Sequence, residues 1–343
     1  MTDTLIDIEQ PGVLVNYLRE TGHIDVGDAP QVTTLAGGVS NRTVLLELEN
    51  GDSYVVKQAL KKLRVQVDWF CSPERIHREA EGLRWLARLA PPGTLPDFVF
   101  EDHIHHLLGM RAVPQPHINW KTSLLRGDLS LEHATQFGHL LGTIHRQSQA
   151  HTDEIAIAFA DRSFFEDLRL EPYYAYTATQ VSDAAAFLNA LIDETRATRL
   201  TIVHGDYSPK NILVHEGRLI LLDHEVIHFG DPAFDLGFAQ THLLSKAHHI
   251  AHIRSNFIKA AHHFWRAYRA AIDDPAWIAA LEARAARHTL ACLLARVDGR
   301  SPLEYLSDDE RHRQRAVVLE LMRNPPNTLP TLFDQFATRL FDS

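Results

Sequence analysis

His204-Gly205-Asp206-Tyr207-Ser208-Pro209-Lys210-Asn211 is followed, after the apolar run Leu219-Ile220-Leu221-Leu222, by Asp223. An Asp, an Asn five residues on and a second Asp beyond a short apolar strand are the groups that phosphoryl transfer from a nucleotide requires. The first Asp accepts the proton of an attacking hydroxyl, and the Asn and the later Asp hold a divalent ion against the phosphates. Asp206 is therefore read as the catalytic base, and Asn211 and Asp223 as metal ligands. Residues 200–203, 212–214 and 219–222 read as strands, so the loop lies between strand ends that hold it. His204 reads as a brace within this loop. Lys210 is a candidate for the γ-phosphate, with a solvated lysine as the equal alternative, and the same holds for Ser208.

Downstream, Glu225 lies two residues past Asp223 and is expected to support the metal from outside its ligand shell. In Gly230-Asp231-Pro232-Ala233-Phe234-Asp235-Leu236-Gly237, Asp231 reads as an N-cap and Pro232 as first-turn residue of a helix. Asp235, between Phe234 and Leu236, is expected to brace the catalytic loop from beneath.

Upstream, the chain reads as strands, with a helix over residues 11–19. Strands are expected over 31–35 and 43–49, with Gly37 and Gly38 between them leaving backbone N–H groups open to a phosphate. Asn50-Gly51 predicts a type I′ hairpin, in which both central residues take positive φ. The return strand, 53–59, carries Lys57 on the face of Val55. Ser72, Pro73 and Glu74 open a helix whose apolar stripe runs through Ile76, Ala80, Leu83 and Leu86. Lys57 is suited to the α- and β-phosphates with Glu79 as its ion-pair partner, and Glu81 is the competing acid. Strands over 98–101 and 107–111 lead into the connector Ala112-Val113-Pro114-Gln115-Pro116.

Beyond residue 130 the pattern is helical, over 131–147, 184–196, 250–271 and 276–295, with shorter helices over 317–322 and 332–340. With 343 residues, two lobes are expected. Lys and Arg total 34 against 44 Asp and Glu, a net charge of −10, which argues against nucleic acid and anionic membrane as partners. Cys71 and Cys292 are far apart and read as reduced thiols. The N-terminus lacks a signal-peptide pattern and no run is long enough to span a membrane, so the expected location is cytoplasmic.

Lys57, Arg78-Glu79, the 204–211 loop, Leu222-Asp223-His224-Glu225 and Asp231-Pro232-Ala233-Phe234-Asp235-Leu236 together resemble the aminoglycoside phosphotransferase and choline kinase superfamily. The resemblance covers residues 30–240. It implies an α+β, two-lobed, protein-kinase-like fold. Residues 1–113 would form a small antiparallel-sheet nucleotide-binding lobe, and residues 114–343 a larger, mostly helical lobe with the catalytic loop and acceptor site. It implies ATP and Mg2+ as cofactors, with nucleotide contacts at Gly37, Gly38, Ser40, Asn41, Lys57, Glu79, Met110 and Ala112. Protein kinases differ: Arg stands where this chain has Gly205, and Asp-Phe-Gly where it has Asp223-His224-Glu225.

The acceptor is expected to be a small-molecule alcohol, and the protein a monomer or homodimer. Acids in residues 164–171 and Asp273, Asp274 and Asp298 would draw an amine-bearing acceptor, unless they form a solvated face. Phe164, Phe165, Tyr173, Tyr174 and Tyr176 would wall its pocket, unless they pack in the core. Two rival readings remain: a nucleotide-binding scaffold without turnover, and zinc held by His248 and His252 on one helical face.

Overall fold

The computed structural model describes residues 5–35, 40–64 and 69–342, so Gly37 and Gly38 lie outside the described residues. Two compact units divide the chain: Met1–Arg88 with Leu95–Gln115, and Leu89–Thr94 with Pro116–Ser343.

The first unit contains α1 (Pro11–Glu20), β1 (Gln31–Thr34), β2 (Asn41–Glu47), β3 (Ser53–Ala59), α2 (Arg75–Leu89), β4 (Phe98–Asp102) and β5 (Leu107–Arg111). The strands form one antiparallel sheet in the order β1-β2-β3-β5-β4. Alternation of side chains gives the sheet two apolar faces. Val44, Leu46, Val56 and Leu107 pack with Leu14 and Leu18 of α1 on one face. Ala59, Leu108 and Met110 pack with Ile76, Ala80 and Leu83 of α2 on the other. Lys57 has the parity of Val55, which packs on the second face, and is thereby turned toward α2.

The β2–β3 turn departs from the type I′ expectation. Gly51 has φ +91°, but Asn50 is not among the positive-φ residues. Gly51 N–H donates to Leu48 O at 3.0 Å and Leu48 N–H to Asp52 O at 2.8 Å. This is the longer hairpin in which a type I turn is closed by one left-handed glycine. The Asn50 side chain accepts Asp52 N–H at 2.8 Å, a local bond that does not require Asn50 itself to be left-handed.

The second unit opens with β6 (His117–Asn119), α3 (Trp120–Leu125), α4 (Leu131–Gln149), α5 (Thr152–Ala158) and α6 (Ser163–Phe165). A π-helical stretch, Glu166–Ala175, runs into α7 (Tyr176–Gln180), then α8 (Ser182–Ala197). Next come β7 (Thr201–Val203), a 3-10 turn at Pro209–Asn211, β8 (Ile212–His215), β9 (Arg218–Leu221) and β10 (His228–Gly230). The unit ends with α9 (Pro232–His249), α10 (Arg254–Ile272), α11 (Pro275–Asp298), α12 (Asp308–Arg323) and α13 (Leu329–Asp342). β6, β8 and β9 make one small antiparallel sheet, and β7 pairs with β10.

α9 is buried from Pro232 through His248, and α10 crosses α4 where Gly138 and Gly142 face its backbone. A Cβ at Gly138 would lie 2.1 Å from Phe264 O, so only glycine admits this approach. The helix expected over 250–271 starts later: α9 ends at His249, and a 3-10 turn at Ala251–Ile253 precedes α10 at Arg254. His248 and His252 therefore do not share a helical face, and His248 Nε2 lies 2.9 Å from Glu310 O instead. No helix among the described residues is long and apolar enough to cross a membrane.

Candidate active site

In the first unit, Lys57 Nζ lies 2.5 Å from Glu79 Oε1, with the Glu79 side chain 1% exposed. Glu81 is half-buried and sits 3.9 Å from Arg78. Ser40 and Asn41 are buried where β2 begins. Arg75, which the sequence reading passed over, is fully buried and ties this region to α2. Its guanidinium donates to Ser40 O, to Leu60 O at 2.9 Å and to Ser72 O at 3.0 Å. Met110 lies in β5, paired with Val55, and Ala112 N–H donates to Ser53 O at 3.0 Å just past the strand end.

In the second unit, the β8–β9 hairpin brings two of the predicted residues together. Ile212 pairs with Leu221, and Leu222 N–H donates to Asn211 O at 2.9 Å. Asn211 at the start of one strand is thus registered against the residue preceding Asp223 at the end of the other. Asn211 Nδ2 donates to Asp206 Oδ2 at 2.7 Å and to Asp206 O at 3.0 Å, closing the loop on itself. Asp223 has φ +68°, a left-handed backbone that a residue with a side chain adopts only where its surroundings fix it.

Asp235 holds the loop from below. Its Oδ2 accepts His204 N–H at 2.7 Å and its Oδ1 accepts Gly205 N–H at 2.8 Å, with His145 Nε2 3.4 Å away. Burial alone would raise its pKa. The hydrogen bond and charge of His145, with the His204 contacts, hold it below the ordinary carboxylate value. Asp231 caps α9 by accepting Ala233 N–H at 3.0 Å and pairs with Arg284 at 3.0 Å.

His204 uses both ring nitrogens within the loop. Nδ1 accepts Asp206 N–H at 3.1 Å, which leaves the proton on Nε2, near Leu222 O at 3.3 Å and His224 Nδ1 at 3.1 Å. Burial holds its pKa below the usual histidine value, so the ring is neutral. Gly205 has φ +75°, and a Cβ there would lie 2.9 Å from Val226 Cγ2, which excludes any other residue without movement of the loop. Lys210 is exposed, while Ser208 and Glu225 are buried.

The sequence reading missed Arg169. From the π-helical stretch its Nη2 reaches Asp206 Oδ2 at 2.8 Å, and its Nε donates to Gly205 O at 2.9 Å. Burial would lower its pKa, but Asp206, with Tyr173, Glu225 and Asp223, raises it above the ordinary arginine value. Pro172 inside that helix lacks an N–H and crowds the carbonyl four residues back, which favours the wider π turn. That carbonyl, Leu168 O, also accepts Arg169 Nη1 at 2.6 Å. Pro172 in an apolar and acidic run was the available signal.

Several of the acids nominated for a cationic acceptor are engaged elsewhere, whereas burial, with Glu166, Glu171 and Asp161 nearby, raises the pKa of Asp167. Glu166 pairs with Arg196 at 2.8 Å, Glu171 with Arg300 at 3.0 Å, and Asp298 with Arg315. Asp274 caps α11, and Asp273 ends α10 in a left-handed conformation. Of the aromatic residues, Phe165 and Tyr174 are core, and Tyr173 OH accepts Arg296 Nη1 at 2.9 Å.

A family model described as "Phosphotransferase enzyme family" matches residues 31–281. A methylthioribose kinase of Pectobacterium atrosepticum is 25% identical over 67% of this chain and 64% of its own length. Methylthioribose kinase 2 of Oryza sativa subsp. japonica is 28% identical over 65% of this chain and 60% of its own. The chain thus spans under two thirds of the length of these curated relatives. Among solved structures, an amicoumacin kinase in complex with AMP-PNP and Ca2+ superposes with a TM-score of 0.56 at 18% identity, covering 87% of this chain and 90% of that one. A choline/ethanolamine kinase family protein from Mesorhizobium loti gives 0.52 at 15% identity, covering 96% and 100%. These likenesses bear on the fold, which is the two-lobed, protein-kinase-like α+β arrangement. Because the matching model runs through well over half of the sequence and through both units, the chain belongs to the phosphotransferase enzyme family.

Proposed function

We propose that this protein transfers the γ-phosphoryl group of ATP to a hydroxyl of a small molecule. The first unit binds nucleotide and the second carries the catalytic loop and acceptor. The observation that carries this reading is the closed loop in which Asn211 is bonded to Asp206 and registered beside Asp223. The Asp206 bonds to Asn211 and Arg169 both fall on Oδ2, and Oδ1 takes no hydrogen bond from the described residues. Oδ1 is the oxygen for the acceptor proton. The acceptor oxygen then bonds to phosphorus as the bond to ADP breaks. Lys57, fixed by Glu79, steadies the phosphates.

An amide oxygen and a carboxylate suit a hard divalent cation such as Mg2+. Asn211 spends its NH2 group on Asp206, which leaves its amide oxygen for such an ion, with Asp223 as the second ligand. When bound, the cation neutralises charge on the phosphates. Asp223→Ala is expected to weaken Mg2+-dependent ATP binding by roughly 10–100-fold or more. The check is calorimetry with and without magnesium. Affinity unchanged by the substitution would remove Asp223 from the metal site.

The surroundings of Asp206 favour a neutral or anionic acceptor. Arg169 touches it, and its guanidinium lies 5.8 Å from the Tyr173 ring and 5.9 Å from the Phe238 ring. Beyond those rings are Arg296 and His242. Lys246, one turn past His242 on α9, is fully buried and makes no ion pair with the described residues. Burial, with the like charges of Lys121 and Arg296, brings its pKa down to about 7 against the pull of Glu304. A cationic acceptor would add another like charge. A neutral sugar fits, as in the methylthioribose for which the curated relatives are named. Assaying alcohols of one carbon skeleton in neutral, carboxylated and aminated forms is expected to give the lowest kcat/KM for the amine. A preference for the amine would overturn the acceptor charge but not the kinase reading.

A further inference from the structure

Histidines of the first unit converge where α2 begins beside the turn between β4 and β5. His77 Nε2 lies 3.2 Å from His106 Nδ1, and His106 Nδ1 lies 3.7 Å from Glu74 Oε1. These three atoms all fall within 4.8 Å of one another. Tetrahedral zinc, with bonds of about 2.0–2.1 Å to nitrogen and oxygen, holds its ligand atoms about 3.3 Å apart. The triangle is therefore close to the size a zinc-class ion needs, and Glu74, which is exposed, has the freedom to close it.

His77 is prepared for this role. Its Nδ1 lies 2.6 Å from Glu101 Oε1. A carboxylate only accepts, so the ring proton sits on Nδ1 and a lone pair is presented at Nε2. Glu101 is held in turn by Arg84 Nη2 at 2.5 Å. A carboxylate behind a ligating imidazole is the arrangement that orients histidine toward a metal.

His106 is placed by backbone in the left-handed region, at φ +52°. Asp102 Oδ1 shapes the turn by accepting the N–H groups of Ile104 at 2.7 Å and His105 at 2.6 Å. Glu101 itself is not a ligand alongside His77: 2.6 Å is a hydrogen-bond length, shorter than two ligands of one ion allow. His77 also borders a surface hollow with Trp85 and His103.

We propose that Glu74, His77 and His106 form a binding site for a zinc-class divalent cation, with its fourth position open to water. The ion clips the start of α2 to the β4–β5 turn. On binding, His106 carries its ring proton on Nε2, leaving Nδ1 for the ion. The same helix carries Glu79, the partner of Lys57.

The test uses the full chain, freed of metal by chelation and then supplied with Mg2+ and AMP-PNP to keep the nucleotide site filled. Zn2+ is titrated by calorimetry, and Co2+ by visible absorption. One equivalent is expected, with a tetrahedral-type Co2+ spectrum and a thermal midpoint that rises with zinc concentration. His77→Ala and His106→Gly, the latter chosen to suit the left-handed backbone, should each weaken binding at least tenfold. Glu101→Gln, which touches no ion, should weaken it by roughly 10–100-fold. His252→Ala, at an exposed histidine elsewhere, should change nothing. Absence of zinc binding by the unaltered chain overturns the proposal. So does undiminished binding in His106→Gly, which remains informative should His77→Ala fail to fold.

Discussion

Asp206→Asn is expected to lower turnover by about 10²–10⁴-fold while leaving ATP affinity within a few-fold of the unaltered protein. Asp206 is the one carboxylate on the loop bonded to Asn211 and to Arg169, so it is the group within reach of an acceptor hydroxyl. Asparagine keeps the size and hydrogen-bonding shape of the side chain but cannot take up the proton. Alanine is the less informative change, because it leaves the buried Arg169 guanidinium without its partner. Stranding one member of a buried ion pair costs about 3–5 kcal/mol. A rate lost by misfolding is separated from a rate lost in chemistry by measuring nucleotide affinity and thermal midpoint on the same sample. Full turnover in Asp206→Asn would assign the proton to another group. A scaffold without turnover would instead show no rate for the substitution to reduce.

Asp235→Ala is expected to be among the most destabilising single changes in the second unit. It strips acceptors from the backbone N–H groups of His204 and Gly205, each buried, at about 1–3 kcal/mol apiece. It also leaves His145 to Tyr268 OH alone, 3.0 Å away. A loss of about 3–5 kcal/mol in urea unfolding is the expected result, with activity falling because the loop carrying Asp206 is no longer held. The same carboxylate gives a pH signature. Its folded pKa lies below that of an unfolded aspartate, so its contribution is complete above about pH 4. It is lost as pH falls through the lower, folded value. The unaltered protein should therefore lose stability more steeply below about pH 4 than Asp235→Asn does. Equal acid sensitivity would show that Asp235 is not the titrating group.

The loop and the strands around it were legible in the sequence because their chemistry is local. Asp206 and Asn211 are five residues apart, and the hairpin that registers Asn211 beside Asp223 spans a dozen. The capping of α9 by Asp231 was legible for the same reason. What escaped was non-local or irregular. Arg169 meets Asp206 from 37 residues upstream, on a helix whose period is altered by Pro172, so no 3.6-residue pattern pointed to it. Arg75 looks like a helix-surface residue in sequence but is fully buried because strand and turn carbonyls converge on it. α9 showed only its first turn, since a helix buried on all sides has no polar face to mark its period. The Asn50-Gly51 signal named the right place and the wrong turn, because a single left-handed glycine suffices when the loop has three residues. The partners of the acids near residue 170 were not legible: composition counts charges, whereas the fold pairs Glu166 with Arg196 and Glu171 with Arg300.

We propose that two carboxylates and an amide on neighbouring strand ends move a phosphoryl group from ATP to an alcohol. Phosphorus NMR of the purified protein with ATP, Mg2+ and a pool of small sugars and alcohols tests it most directly. A new phosphomonoester resonance should grow in step with ADP, and should be absent in Asp206→Asn. ADP formed without an ester, or an ester formed at an undiminished rate by Asp206→Asn, would contradict it.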